Sequence, residues 1–114
     1  RMIGHPTARH IGNRPSIDFD LHALLTVAEG TGTALEINGS LERLDLSVEL
    51  LRHTRGRAVG LVLTSDAHDV AQLGRIEYAV RNAERAWIEP EQVINTWPPE
   101  RLESWLAMKQ PGSG

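Results

Sequence analysis

The run Ala58-Val59-Gly60-Leu61-Val62-Leu63 carries no polar side chain. A strand of that composition has no face to offer water, so it belongs in a sheet covered on both sides, as parallel sheets flanked by helices are. Residues 33–38, Thr33-Ala34-Leu35-Glu36-Ile37-Asn38, follow a glycine break and read as a second strand that ends at Asn38-Gly39. Its alternation puts Ala34, Glu36 and Asn38 on one face. Met2-Ile3-Gly4 is a short apolar fragment that reads as the end of an earlier buried strand.

Helical periods fill the gaps between these strands. Leu21, Leu24, Leu25 and Ala28 share a stripe over about 19–29, with Asp18 as the expected N-cap and Gly30 and Gly32 as stops. Val48, Leu50 and Leu51 form the inward face of a helix over about 47–54, capped by Asp45 or Ser47 and stopped at Gly56. Val70, Leu73, Ile76, Val80 and Ala83 predict a third amphipathic helix to about 82, interrupted only by Gly74. Pro90 suits the first turn of a short helix to Val93, and Pro98-Pro99 opens a last helix in which Leu102, Trp105, Leu106 and Lys109 share a stripe. Strand and helix therefore alternate, which predicts an α/β fold of about three parallel βα units plus C-terminal helices.

At 114 residues the chain is the size of one small domain or a piece of one, well short of the roughly 250 residues of a complete β/α barrel. Residues 1–109 are read as the folded part and 110–114, ending Pro-Gly-Ser-Gly, as a flexible appended tail. The chain has no cysteine, which excludes disulfides and thiolate zinc sites and suits a reducing cytoplasmic setting. No apolar run approaches the roughly 20 residues that span a bilayer, so no membrane association is expected. A net charge of -3 gives no general pull toward a polyanion, although Arg9, Arg14, Arg52, Arg55 and Arg57 remain available for local phosphate contacts.

Three predicted strand ends are followed by residues with metal-binding or polar side chains: His5, Asn38, and Asp66 with His68. In β/α folds the loops at the carboxyl ends of the strands converge on one face, so these residues are expected to meet. Asp66 and His68, two apart, point the same way, and a carboxylate with an imidazole suits zinc, manganese or iron. Each signal also has a plainer reading, with Asp66 as a helix cap and His5 as a turn residue before proline. Glu36, set between Leu35 and Ile37, needs a partner, for which a buried Arg9 is favoured slightly over a place in the site's polar network. His10, His22 and His53 receive no role: the first lies in a loop, the second in a helix, the third at a helix C-terminus. Trp87, Trp97 and Trp105 are read as core or interface aromatics.

Taken together, Gly4-His5-Pro6-Thr7-Ala8-Arg9, Ala34-Leu35-Glu36-Ile37-Asn38 and Thr64-Ser65-Asp66-Ala67-His68 resemble, in order and spacing, the last motif blocks of the PHP (polymerase and histidinol phosphatase) superfamily. Arg43-Leu44-Asp45-Leu46 and Val93-Ile94-Asn95-Thr96-Trp97-Pro98 resemble the branch attached to bacterial family X DNA polymerases. The resemblance implies part of a distorted seven-stranded β/α barrel that binds up to three divalent metals and cleaves phosphoesters, with 3'-5' exonuclease or DNA end trimming in this branch. It makes His5, Asp66 and His68 metal ligands and Arg9 a phosphate contact, with Glu36 and Asn38 in support. The opening His-x-His pair and the intermediate His and Glu ligands of the pattern are absent. The chain alone is therefore expected to be inactive, to need the remaining half of the domain, and to meet DNA through a longer protein. Open strand edges and uncovered apolar faces further predict a homo-oligomer or a domain-swapped dimer. Alternatives are a free-standing phosphatase acting on small phosphomonoesters such as histidinol phosphate, and a non-catalytic structural module.

Overall fold

The computed structural model of the chain describes residues 2–13, 15 and 19–108. Three parallel strands, β1 (Met2–Ile3), β2 (Ala34–Asn38) and β3 (Leu61–Thr64), form one sheet with β2 in the middle. The register pairs Ile3 with Leu35, Leu35 with Leu61, and Asn38 with Thr64, so all three strands end on the same edge. Helices α1 (Leu21–Thr31) and α2 (Val48–Arg52) fill the connections between strands, α3 (Ile76–Arg85) follows β3, and α4 (Pro99–Ala107) closes the described chain. The parallel α/β organisation expected from the apolar runs is present.

β2 is buried on both faces apart from Glu36, as a central parallel strand must be. Leu35, Ile37 and Leu61 meet Leu25 and Ala28 of α1, Leu51 of α2, and Ala79 and Ala83 of α3 in a single core. Three bonds explain why β3 begins at Leu61 rather than at Ala58. The Ala58 amide donates to Glu29 Oε2 at 3.3 Å and the Arg57 guanidinium grips the same carboxylate, which anchors this stretch to α1. The ladder is joined only where the Leu35 amide donates to the Gly60 carbonyl at 3.0 Å.

Helix ends follow from local chemistry. Asp20 caps α1 by accepting from the Ala23 amide at 3.1 Å, and Gly32 ends the helix in the left-handed region at φ 65°. Asp18, the cap expected from the sequence, lies outside the described residues, as do Arg14 and the tail. Ser47, not Asp45, caps α2. The helix expected over about 70–82 is split: Val70–Arg75 wind as a 3-10 helix and α3 runs on from Ile76. Small residues Ala79 and Ala83 face the sheet and allow close approach, while Val70 (84% exposed) and Leu73 (58%) turn to solvent. The stripe is thus only partly a core stripe.

After α3 the chain makes two short 3-10 turns, Pro90–Gln92 and Ile94–Thr96. Val93 bridges Leu61 in parallel, and the Asn95 side chain bonds both the amide and the carbonyl of Leu63, at 2.8 and 3.0 Å. One side-chain amide thereby blunts the outer edge of β3. Trp97 and Trp105 pack edge to face at 6.3 Å, and Trp105 Nε1 donates to the Gly32 carbonyl at 2.7 Å. Trp87, read as core or interface, is 61% exposed beneath the guanidinium groups of Arg52 and Arg55. Among the described residues no helix is long and apolar enough to cross a membrane.

Candidate functional site

Because the strands are parallel, their carboxyl ends deliver Gly4-His5, Asn38 and the Asp66 turn to one edge of the sheet. An open cleft of about 480 Å³ lies there. His5, Asp66 and His68 line it together, although 63 positions separate the first from the last. The same walls hold Ser40, Glu42, Arg43, Gln72 and His10.

Glu36 is the hub beneath this edge. Its Oε1 accepts from the His5 amide at 2.6 Å and from Asn38 Nδ2 at 3.1 Å, and its Oε2 accepts from the Thr64 hydroxyl at 2.8 Å. One carboxylate thus ties the ends of all three strands. The expected pairing with Arg9 is not made, because the Arg9 guanidinium is spent elsewhere. Asn38 Nδ2 also donates to Asp66 Oδ2 at 3.1 Å, so a neutral amide stands between two carboxylates. The Asn38 Oδ1 accepts from the Ser40 amide at 2.8 Å.

Long-range clamps hold the loops. The carboxylate of Asp45, fully buried, accepts from the Thr7 amide and from the Thr7 hydroxyl, the latter at 2.8 Å. Arg9 donates through Nε to the Arg43 carbonyl at 2.6 Å and through Nη2 to the Leu44 carbonyl, while Arg43 Nη1 returns a bond to the Arg9 carbonyl at 3.2 Å. Arg9 is therefore a clamp on the loop after β2 and is not among the cleft-lining residues, whereas Arg43 is. Arg43 Nε approaches Asp66 Oδ2 at 4.0 Å. Glu42 accepts from the Ser40 hydroxyl and from Arg75, and the Ser40 bond is the first cause of a carboxyl pKa lowered from its ordinary value. Gly39 has to be glycine here, since a Cβ would run into the Arg75 carbonyl and come within 3.0 Å of the Thr64 carbonyl.

His5 (φ 26°), Ala8 (φ 56°), Leu44 (φ 44°) and Asp66 (φ 51°) all adopt left-handed backbone that L-residues disfavour. Two of them, His5 and Asp66, are cleft residues. Trp87 (φ 58°), which does not line the cleft, shares this conformation, so the strain is not confined to the site.

No family model matches the chain. Over 105 residues, 92% of its length, it is 36% identical to the DNA polymerase/3'-5' exonuclease PolX of Bacillus subtilis, of which it spans 18%. It is 34% identical over 106 residues to a probable phosphatase of Vibrio vulnificus and 32% identical over 99 residues to one of Aliivibrio fischeri, spanning 40% and 38% of them. The chain is homologous to a segment of these proteins. A DNA polymerase/exonuclease and phosphatases are the kinds of protein to which the resemblance of the motif blocks points.

Fit to a metal divides into two parts. His68 Nδ1 lies 2.8 Å from the Asp66 carbonyl, which can only accept, so the ring proton sits on Nδ1 and the Nε2 lone pair is left free. That is how a ligating histidine is usually oriented. Yet among the described residues no three His, Cys, Asp or Glu side chains come close enough together to hold an ion. The donor types suit a divalent metal, and the full set is not assembled by these residues.

The sequence singles out none of Glu42, Arg43, His10, Ser40 and Gln72 as cleft residues. For the first two a signal existed, since both follow the Asn38-Gly39 strand end as directly as Asp66 and His68 follow theirs. His10, given no role from its loop position, is brought into the cleft by the clamps around Arg9 and Arg43. His22 and His53 line a separate depression beside Arg57, away from the cleft.

Proposed function

We propose that this chain is the C-terminal part of a metal-dependent PHP phosphoesterase domain of a DNA polymerase of the family X type. The observation that carries the reading is the gathering of His5, Asp66 and His68 in one cleft, with the His68 Nε2 lone pair free. In the longer protein the three strands would belong to a distorted seven-stranded barrel whose remaining half covers β1. His5, Asp66 and His68 would contribute to holding manganese, zinc or iron, with the other ligands supplied from outside this chain. Such a metal lowers the pKa of bound water and offsets charge on a phosphoryl group. Of the chain's own residues, Glu36 and Asn38 fix the strand ends, Arg9 locks the loop, and Arg43 presents a cation to the cleft for a phosphate. The longer protein would act on DNA as a 3'-5' exonuclease, the activity named for the Bacillus relative.

The chain alone should be inactive, because the described residues do not complete a metal-binding set. Incubating the 114 residues with manganese and a 3'-end-labelled oligonucleotide should release no nucleotide, whereas the same residues within a full-length domain should release it in a chelator-sensitive way. Chelator-sensitive release by the chain alone would overturn the first expectation. An inactive, metal-free full-length domain would point instead to a structural module.

A second reading, a phosphatase for small phosphomonoesters, is favoured by the similar identity to the Vibrio proteins and by the net charge of -3. Comparing the full-length protein on histidinol phosphate and on an oligonucleotide separates the two.

A further inference from the structure

We propose that Trp87, Arg52 and Arg55 form a binding surface for single-stranded nucleic acid, with a base stacked on the indole and phosphates held by the two guanidinium groups. The surface is separate from the cleft. A helix that joins two parallel strands runs back against them, so α2 ends beside the start of β3, at the edge of the sheet away from His5, Asp66 and His68. Arg52 Nη2 donates to the Arg85 carbonyl at 3.2 Å, which sets the end of α3 beside the end of α2.

Local backbone chemistry shows why the indole stands in water. The Ile88 amide donates to the Ala83 carbonyl and the Trp87 amide to the Glu84 carbonyl, both at 3.0 Å, the paired bonds that close a helix with a left-handed residue just past its cap. Glycine usually fills that position, and here it is Trp87, at φ 58°. Ile88 packs against the core while Trp87 stays 61% exposed, so burial does little to offset the strained backbone beneath the indole. A large aromatic at a glycine position, held out in water, points to a partner from outside the fold.

The neighbouring side chains define the chemistry of that partner. The guanidinium groups of Arg52 and Arg55 lie 5.0 and 5.5 Å from the ring centroid, and both residues are exposed. Among the described residues neither pairs with a carboxylate, although Arg43, Arg57, Arg75 and Arg81 all do. The helix dipole accounts for a cation in the last turn of α2 but not for an indole beside it. Two unpaired cations next to a mostly open aromatic ring match a strand that carries phosphates and flat bases side by side. An acidic protein segment would satisfy the cations and leave the indole without a stacking partner, and a duplex keeps its bases stacked inside. With a net charge of -3 on the chain, the cationic pair is a local feature and not part of a general basicity.

The test uses the 114-residue chain with a chelator present, so that its failure leaves the reading of the cleft untouched. The fluorescence anisotropy of a labelled oligothymidylate about ten nucleotides long should rise saturably, and a duplex of the same length should bind more weakly. Trp87→Gly should weaken binding on the order of tenfold while leaving Tm unchanged or raised, because glycine suits the left-handed position. Trp87→Phe keeps a ring and should retain most of the affinity. Arg52→Gln and Arg55→Gln should each lower the slope of log K against log salt by roughly 0.7. No saturable binding, unchanged affinity in Trp87→Gly, or equal affinity for duplex and single strand would overturn the proposal. A fall in both Tm and affinity in Trp87→Gly, with Trp87→Phe no better, would make the indole a structural plug and overturn it as well. A labelled polyglutamate peptide that binds as tightly as the oligonucleotide would assign the surface to an acidic protein instead.

Discussion

Asn38 and Asp66, 28 positions apart, are joined by a 3.1 Å hydrogen bond from a side-chain amide to a carboxylate, across the ends of β2 and β3. The same amide donates to Glu36 at 3.1 Å, and Asn38 is only 1% exposed. Two N–H donors on a neutral group let two carboxylates share one edge of the sheet, which a third anion cannot do.

Asn38→Asp should therefore destabilise the chain by about 2 kcal/mol or more at neutral pH. Burial and the two neighbouring carboxylates raise the folded-state pKa of the new carboxyl above its unfolded value. Its penalty is then largest above that raised pKa and fades as the pH falls toward the unfolded one. Urea melts at neutral and mildly acidic pH read the effect directly. A variant as stable as the parent at neutral pH would mean that the amide bridge is not what holds the edge together.

Ala8 occupies left-handed backbone at φ 56° in the turn that follows His5. The Cβ of an L-residue is crowded there, and glycine is not, so Ala8→Gly should stabilise the chain by about 0.5 to 1 kcal/mol despite the extra freedom of the unfolded glycine. That corresponds to a rise of a few degrees in Tm. Ala23→Gly, on the exposed side of α1, serves as the opposite control and should cost about 1 kcal/mol. A fall in Tm for Ala8→Gly would show that the turn does not adopt this conformation in solution.

How far the sequence discloses this arrangement depends on the range of the interactions involved. β3, α1 and the Ser47 cap are legible because apolar runs, helical spacing and cap chemistry act over a few residues. The meeting of His5, Asp66 and His68 is legible one step further on, since parallel strands deliver their carboxyl ends to one edge. The partner of Glu36 is not legible: Arg9 is the obvious cation nearby in pattern, but its donors go to backbone carbonyls of Arg43 and Leu44. His10 enters the cleft only as a result of that clamp. Nor does periodicity say what covers a stripe, so Val70 and Leu73 match a core helix yet face solvent.

The link between α1 and the segment before β3 should be sensitive to acid. Glu29 accepts from Arg57 Nε at 2.6 Å, and this hydrogen bond is the first cause of a carboxyl pKa lowered from its ordinary 4.5. A depressed folded-state pKa contributes stability above the unfolded value and loses it as the pH falls through the folded one. The Tm of the parent should exceed that of Glu29→Gln at neutral pH, and the gap should narrow at acid pH, below the ordinary 4.5. The carboxylate is partly exposed to water, so the gap should be small and should shrink in high salt. An equal gap at both pH values would remove the ion pair as its cause.

The two edges of the sheet differ in how far they are shielded. Asn95 bonds the backbone of Leu63 and shields the β3 edge, whereas β1 is two residues long and forms the other edge of the sheet. Val70, Leu73 and Ile76 add apolar surface that is 84%, 58% and 39% exposed. Removing such side chains from water favours contact with a second molecule or with another part of a longer protein. The isolated chain should accordingly form dimers or larger assemblies as its concentration rises, seen by light scattering. The double variant Val70→Glu, Leu73→Glu should weaken association on the order of tenfold or more, because two charges would then have to be buried at the contact. The same double change should leave the far-UV circular dichroism intact, since neither side chain belongs to the buried core. A strictly monomeric parent over a wide concentration range, or a double variant that associates as readily, would place the drive for association on some other surface.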